Sequence, residues 1–495
     1  MTNFYTSTRN NNLVSSFSNA VLQGISEHGG LFVPKTLNES KIDLNALLNL
    51  SYQEMALVIL SIFADDFSQE ELKKCINLAY TSTFDTDEVV KVNPLNNASL
   101  LELYHGPTSA FKDVALQILP LFMLTSKKIQ NNTNDFFILT ATSGDTGKAA
   151  LEGFKNHIGI KVICLYPNQL VSQMQEKQML STNGNNTYTY AVKGNFDDCQ
   201  RMVKEVFNDI KFNNICKESH IQLSSANSIN IGRLCPQIVY YFYSYIQLVK
   251  NKTIEMNDTI NFVVPTGNFG NILAGYYAKL LGLPINKLIC ASNQNNVLTD
   301  FINKGIYNRN REFHKTISPS MDILVSSNVE RFLFECSDHD SNRVNKLMFD
   351  LQTTGIYELN KTELEKVRKD FIAYSSNDDS TKKAIKKILK DCNRIIDTHT
   401  AVAIDCYQQY LSDTNDQTHT VILSTASCFK FAPDVVNALI EDSHHSEEEA
   451  IKFIQNYSSE KLPKPLEELL SLPTIFPKII KQDDLRNIIT ERMKK

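Results

Sequence analysis

Residues Asp135–Pro167 read DFFILTATSGDTGKAALEGFKNHIGIKVICLYP. The opening DFFILTA is an aromatic and aliphatic run of strand length. TSGDTG is small and polar, as a loop should be. KAALEGFKN spaces its apolar residues for one helix face, and IKVICLYP is a second strand. The same order returns at Thr259–Asn293. There TINFVVPT is a strand, GNFGN a loop, ILAGYYAKLLG a helix and KLICASN a strand, and HTVILSTAS (419–427) adds a late one. Strand, glycine-rich loop, helix, strand is the unit of a parallel sheet, so the chain is expected to be α/β. Before it, GGLFVP (29–34) predicts a turn into a short strand. SYQEMALVILSIFA and SQEELKKCINLAYTS predict amphipathic helices.

Ligands of open α/β sheets bind at the carboxyl ends of strands, where the two loops fall. Ser143, Gly144, Asp145, Thr146 and Gly147 enter a helix N-terminus, a natural seat for a carboxylate or phosphate. Gly267, Asn268, Phe269, Gly270 and Asn271 let a backbone approach an anion; Gly275, one turn on, merely lies in the helix, so Gly270→Val is expected to weaken binding far more than Gly275→Ala. Neither loop is a nucleotide fingerprint. A P-loop's first glycine would fall on Thr142, and Ala149 stands where Ser or Thr is required. Both loops also read as plain turns with Gly and Asn at positive φ.

A third stretch, HGPTSAFKDVALQILPLFM (His105–Met123), places Lys112 before apolar residues at helical spacing: Val114, Ala115, Ile118, Leu119, Phe122 and Met123. Thr108 and Ser109 are candidate N-caps. A lysine buried at the positive end of a helix dipole is pushed toward the neutral, nucleophilic amine, whereas a lysine snorkelling to solvent is the plainer alternative. Two glycine loops, such a lysine and no metal signature suggest a small phosphorylated cofactor attached to an amine, which describes pyridoxal phosphate.

Composition narrows the class. A chain of 495 residues suggests two or three lobes, and a net charge of -5 gives no reason to expect nucleic acid or an anionic membrane as partner. The ten cysteines form no C-x-x-C or zinc spacing, which fits a reduced cytoplasmic chain with no metal. The N-terminus carries no apolar run of signal-peptide length. CPQIVYYFYSYIQLV (235–249) is too short and too interrupted to span a bilayer.

Longer blocks carry a resemblance. HGPTSAFKDVALQ, ATSGDTGKAA, GNFDDCQ, SANSINIGRLCPQ, VPTGNFGNILAGYYAK and SPSMDILVSSNVERFLFE are similar, in the same order, to segments of the threonine synthases. YTSTR, GGLFVP, DTHTAV and LSTA match as well, so the likeness runs from about residue 4 to 435 and is strongest to the longer bacterial and fungal branch. It implies a fold-type II pyridoxal-phosphate enzyme, related to the tryptophan synthase β-subunit, that converts O-phospho-L-homoserine and water into L-threonine and phosphate. It implies two parallel-sheet lobes: an N-terminal mixed domain over 1–90, a catalytic region over 91–435 with a mobile small lobe at roughly 130–225, and a helical extension over 436–495. By position, Lys112 would bind pyridoxal as a Schiff base, and Gly267, Asn268, Phe269, Gly270 and Asn271 would hold its phosphate. Thr425 would contact the pyridine nitrogen. Ser143, Gly144, Asp145, Thr146 and Gly147 would meet the substrate carboxylate and the cofactor face, with Asn227, Ser228, Asn230 and Arg233 on the substrate side. Arg233 and Lys148 are the candidate partners of the leaving phosphate. The expected assembly is a monomer or homodimer. Departures fall at Ser427, Cys428 and Phe429, where the family often has His-Pro-Ala. Others are Ile231 in place of Trp, and Thr398 and Ala403 in place of Pro and Gly. Another fold-type II enzyme, such as a threonine dehydratase or cysteine synthase, is the rival reading, and a non-catalytic homologue that keeps the fold is the other.

Overall fold

The computed structural model describes residues 4–493, apart from His28, Asp87, Ser143, residues 441–444 and Thr474. Its main sheet has six strands, in the order Phe371–Ser375, Ile285–Ser292, Ile260–Pro265, Thr420–Ser424, Ala98–Glu102 and Lys91–Leu95. All pair in parallel except the last, which forms a hairpin with Ala98–Glu102. The second sheet is wholly parallel, in the order Ile479–Ile480, Thr187–Val192, Ile160–Pro167, Asp135–Ala141 and Ile221–Ser224.

Alternation along these strands explains the layering, because successive side chains of a strand point to opposite faces. In the main sheet Phe262, Val264, Leu288, Cys290, Leu101, Val421 and Leu423 join a core continuous with Phe136, Ile138, Val162 and Cys164 of the second sheet. Their neighbours Val263, Ile289, Leu100 and Ile422 form a separate core on the other face. Phe137, Leu139, Ile163 and Leu165 do the same for the second sheet. A strand buried on both faces has no polar alternation to show, which is why these stretches read as unbroken apolar runs.

The βαβ strands fall where expected, Asp135–Ala141 and Ile160–Pro167 to the residue. Tyr52–Phe63 and Gln69–Tyr80 are helices, each started by a capping box, Ser51 with Glu54 and Ser68 with Glu71. Phe32–Pro34 pairs with Tyr5–Ser7 in a three-stranded antiparallel sheet. The apolar run at 235–249 lies inside the helix Ile231–Lys250, almost entirely buried, and no helix among the described residues is long and apolar enough to cross a membrane. The tail carries three helices, Glu447–Tyr457, Lys464–Ser471 and Leu485–Met493, and in addition the strand Ile479–Ile480. Ala450, Ile451, Ile454, Leu466 and Leu469 pack on the outer core of the main sheet, whereas Ile480, Leu485, Ile488 and Ile489 pack on that of the second.

Candidate active site

Lys112 is the first residue of the short helix Lys112–Leu116, and Val114, Ala115, Ile118, Leu119, Phe122 and Met123 beyond it are buried. The cap differs from expectation. Phe111 precedes the helix without a side-chain cap, and Thr108 instead gives its backbone N–H and its hydroxyl to Asp113, at 2.8 and 2.7 Å. The turn is pinned from the other side by Ser424–Ser427. The Phe111 N–H donates to the Thr425 carbonyl at 2.8 Å, and the Ser427 N–H to the Ser109 carbonyl at 3.1 Å. Thr425 is thereby fixed beside Lys112, 5% exposed.

The Lys112 side chain is 12% exposed, and its ammonium lies 3.4 Å from Asp145 Oδ2 and 3.4 Å from Ser320 Oγ. Burial lowers its proton affinity, Asp145 works against that, and the cations Lys430 and Arg233 lower it further; the net is below the ordinary lysine value. Asp145 opens the helix Asp145–Phe154 and is held by four donors. Lys430 Nζ reaches Oδ1 at 2.7 Å and Gln175 Nε2 the same oxygen at 3.0 Å, while Ser320 Oγ joins Lys112 on Oδ2 at 3.1 Å. Burial alone would raise this carboxyl; Lys430 and Lys112 outweigh it and hold it well below the usual range. Ser320 is oriented in turn by His399, whose Nε2 accepts the Ser320 N–H at 3.1 Å, so Nδ1 carries the ring proton to Asp397 at 3.0 Å.

The loop Gly267–Asn271 meets the same centre through Ser320, whose carbonyl would lie 2.8 Å from a Cβ placed on Gly267. Phe269 adopts a left-handed φ of 61°, and the helix Gly270–Leu280 starts with no side-chain cap, which leaves its first N–H groups the kind of donors an anion takes. Asn271 turns its Oδ1 to Tyr240 and Tyr241, at 2.5 and 3.0 Å, and its buried Nδ2 has no partner among the described residues. Asn268 accepts from Asn328 Nδ2 at 3.0 Å, and Asn328 also reaches Ser228 Oγ at 3.3 Å. Arg331, fully buried, holds Asn328 Oδ1 at 2.6 Å and bonds the Phe32 carbonyl at 2.9 Å, which ties the N-terminal sheet to this loop.

Not every candidate joins the cluster. Ser143 lies outside the described residues. Gly144 and Gly147 give their N–H groups to Thr142 Oγ1, each at 2.9 Å, so these two donors are already taken; Thr146 is half-buried beside them. Asn230 caps the helix Ile231–Lys250 and donates to the Val21 carbonyl at 2.9 Å. A polar residue directly before a long apolar helix is an N-cap signal that was present in the sequence. Asn227 is exposed. Lys148 pairs with Glu152 at 2.9 Å and Thr182 at 2.8 Å, which leaves Arg233 as the unpaired cation of the two. Arg233 bonds the Ala226 carbonyl through NH1 at 2.8 Å, while its Nε is buried without a partner among the described residues; burial lowers its proton affinity to about 10.

Lys430, Ser320, Gln175, His399 and Asn328 were not singled out beforehand. Only Lys430 left a trace, as a lone charge between Phe429 and Phe431, the same anomaly that drew attention to Lys112. Among the described residues no three His, Cys, Asp or Glu side chains are placed to hold a metal ion.

A buried amine, an uncapped helix start whose loop meets the same centre, and Thr425 just past the end of the strand Thr420–Ser424 suit pyridoxal phosphate. On one wholly parallel and one largely parallel sheet they define the fold-type II class of enzymes that use it. The family model described as threonine synthase N terminus matches residues 4–80, and that for threonine synthase, C-terminal, matches 400–489. The chain is 38% identical to the threonine synthase of Schizosaccharomyces pombe, over 94% of this chain and 93% of that one. It is 37% identical to that of Saccharomyces cerevisiae, over 99% and 98%. A crystal structure of pyridoxal-phosphate-bound threonine synthase from Brucella melitensis superposes with a TM-score of 0.87 at 34% identity, covering 100% of this chain and 99% of that one. The chain belongs to the threonine synthase family, and its activity is that of a pyridoxal-phosphate-dependent lyase of threonine biosynthesis.

Proposed function

We propose that the chain converts O-phospho-L-homoserine and water into L-threonine and phosphate at the Lys112 centre. The observation that carries this is a buried amine 3.4 Å from Asp145, its proton affinity lowered by burial and lowered further by the charge of the buried Arg233. Lys112 holds the pyridoxal through its amine, and the N–H groups of Gly267, Asn268, Phe269, Gly270 and Asn271 receive its phosphate. Gly267, whose missing Cβ leaves room against Ser320, lets the backbone approach. Thr425 would offer the ring nitrogen a hydroxyl, which would not force a full positive charge there as a carboxylate would. When bound, pyridoxal phosphate supplies the sink for the electron pair released at the substrate Cα. Lys112, once displaced by the substrate amine, would take protons from Cα and Cβ and return protons to Cγ and Cα, while water adds its oxygen at Cβ and its proton leaves with the phosphate. Arg233 draws off the departing phosphate dianion. Gly144, Asp145, Thr146 and Gly147 flank the substrate carboxylate, and Asn227 and Ser228 border the same side. Asn230 acts there through the helix it caps. The division at about residues 90 and 435, with the small lobe closing over the site, follows the same reading, as does a cytoplasmic location.

The test is turnover of O-phospho-L-homoserine in water labelled with deuterium and heavy oxygen. Threonine should carry deuterium at Cα and in its methyl group and solvent oxygen at Cβ, while the phosphate keeps its bridging oxygen. Lys112→Ala should abolish all of these. Homoserine as product, or an unlabelled β-oxygen, sinks the assignment.

A further inference from the structure

Lys430 has no part in the chemistry so far, yet its ammonium is completely buried 2.7 Å from Asp145 Oδ1. Its other contact is the Thr108 carbonyl at 2.8 Å, in the turn that carries Lys112. Asp145 is thus shared between two lysines, one oxygen each, and the shorter, fully buried bond belongs to Lys430. We propose that Lys430 is a positioning residue: it holds Asp145 by one oxygen, so that only the weaker, longer contact is left to Lys112 and the reacting amine can give up its proton. The proposal rests on Lys112 being the pyridoxal lysine.

The physical reason is competition for one negative charge. A carboxylate facing a lone lysine stabilises the ammonium and opposes a base. A second cation on the far oxygen draws part of that charge away. The charged and titratable groups facing the pair from the surrounding elements are Arg233 and His399; Asp113 faces Lys430, and Glu152 lies behind Asp113. His399 is committed to Ser320 and Asp397, and Asp113 to Thr108. Lys430 is therefore the one cation in bonding contact with Asp145 besides Lys112 itself among the described residues. A purely structural tie between Asp145 and the Thr108 turn would predict lost stability on removal but no change in how Lys112 titrates.

The experiment follows the visible absorbance of bound pyridoxal phosphate against pH in the holoenzyme, with borohydride reduction and peptide mapping to show that the label is on Lys112. Lys430→Met should move the titration midpoint up by about one pH unit or more, since an opposite charge at this range is worth one to three. In an Asp145→Asn background the same substitution should move it by clearly less, because only the direct repulsion between the two lysines is left. Should Lys430→Met alone fail to fold with a buried carboxylate unpaired, the double variant is compared with Asp145→Asn, and their midpoints should differ by well under one pH unit. A midpoint unmoved by Lys430→Met, one moved equally in both backgrounds, or a difference of a full unit between the double variant and Asp145→Asn overturns the proposal. A label on another lysine overturns the functional reading and the proposal with it.

Discussion

Single atoms at Gly275 and Gly270 separate packing from binding. Gly275, expected only to matter less than Gly270 for binding, is closely confined by its own neighbours. A Cβ there would sit 2.8 Å from Tyr241 Cε1 and 2.9 Å from Leu288 Cδ2, and Tyr241 in turn bonds the Asn271 carbonyl at 2.8 Å. At Gly270 a Cβ finds only Asn328 Nδ2, at 3.4 Å. Gly275→Ala should therefore cost about 1–3 kcal/mol of stability through overpacking, read from urea unfolding. Gly270→Val should keep most of its stability and lose cofactor affinity, read by pyridoxal-phosphate titration, because the valine crowds the uncapped helix start. Equal unfolding midpoints for Gly275→Ala and the unaltered chain would refute the first half, and unchanged cofactor affinity in Gly270→Val the second. Lys112 was legible because an ammonium before an apolar helix is an anomaly in one short stretch. Ser320 and His399 were not, because each is an ordinary residue locally and acquires its role only through contacts across the fold.

Elements meet the site at their ends, and Ala98–Glu102 does so with a charge. Glu102 closes that strand and takes His105 Nε2 at 3.0 Å and Arg394 NH2 at 2.5 Å; Arg394 also binds Glu460 at 3.0 Å. Burial would raise the Glu102 carboxyl, but His105 and Arg394 overcome it and hold it at about 2, against an ordinary 4.5. A depressed carboxylate stabilises the fold above its unfolded value and loses that contribution as pH falls through its folded value. Glu102 should thus supply about 3 kcal/mol at neutral pH, fading between about pH 4.5 and 2. For His105 burial is outweighed by Asp85 and Glu102, so its value is raised; its contribution is complete below the ordinary histidine range and fades as pH rises through the folded value. Urea midpoints across the acid range should fall less steeply for Glu102→Gln than for the unaltered chain. Parallel slopes would mean that the network does not act through Glu102. The strand itself was not read from the sequence. ASLLE is short and follows a Pro and two Asn, so neither length nor alternation announced a central strand, whereas Ile160–Pro167 is longer, rich in β-branched and aromatic residues and broken only by Lys161.

Across the whole molecule the tail reaches both lobes. Its first two helices pack on the main sheet, and its last strand and helix extend the second, where Arg492 stacks on Tyr188 at 4.1 Å and Arg486 binds Asp209 at 2.9 Å. Charge and helical periodicity made the helices legible; a two-residue strand carries no period at all. Removing residues 479–495 strips Ile480, Leu485, Ile488 and Ile489 from a core, at roughly 1.5–3 kcal/mol for each buried aliphatic side chain. Hydrogen exchange should then speed up in Thr187–Val192, while Thr420–Ser424 stays protected; uniform exchange in both sheets would count against separate cores. The register of the main sheet has a further consequence, for the chain as it is made. Ala98–Glu102 emerges from the ribosome early, but its parallel neighbour Thr420–Ser424 is among the last strands to appear. The turn bearing Lys112 is closed by that same late segment, through the bridge between Ala110 and Ala426. A nascent chain therefore carries an open, apolar strand edge through most of its synthesis, and in a prematurely ended one the turn bearing Lys112 stays unclosed.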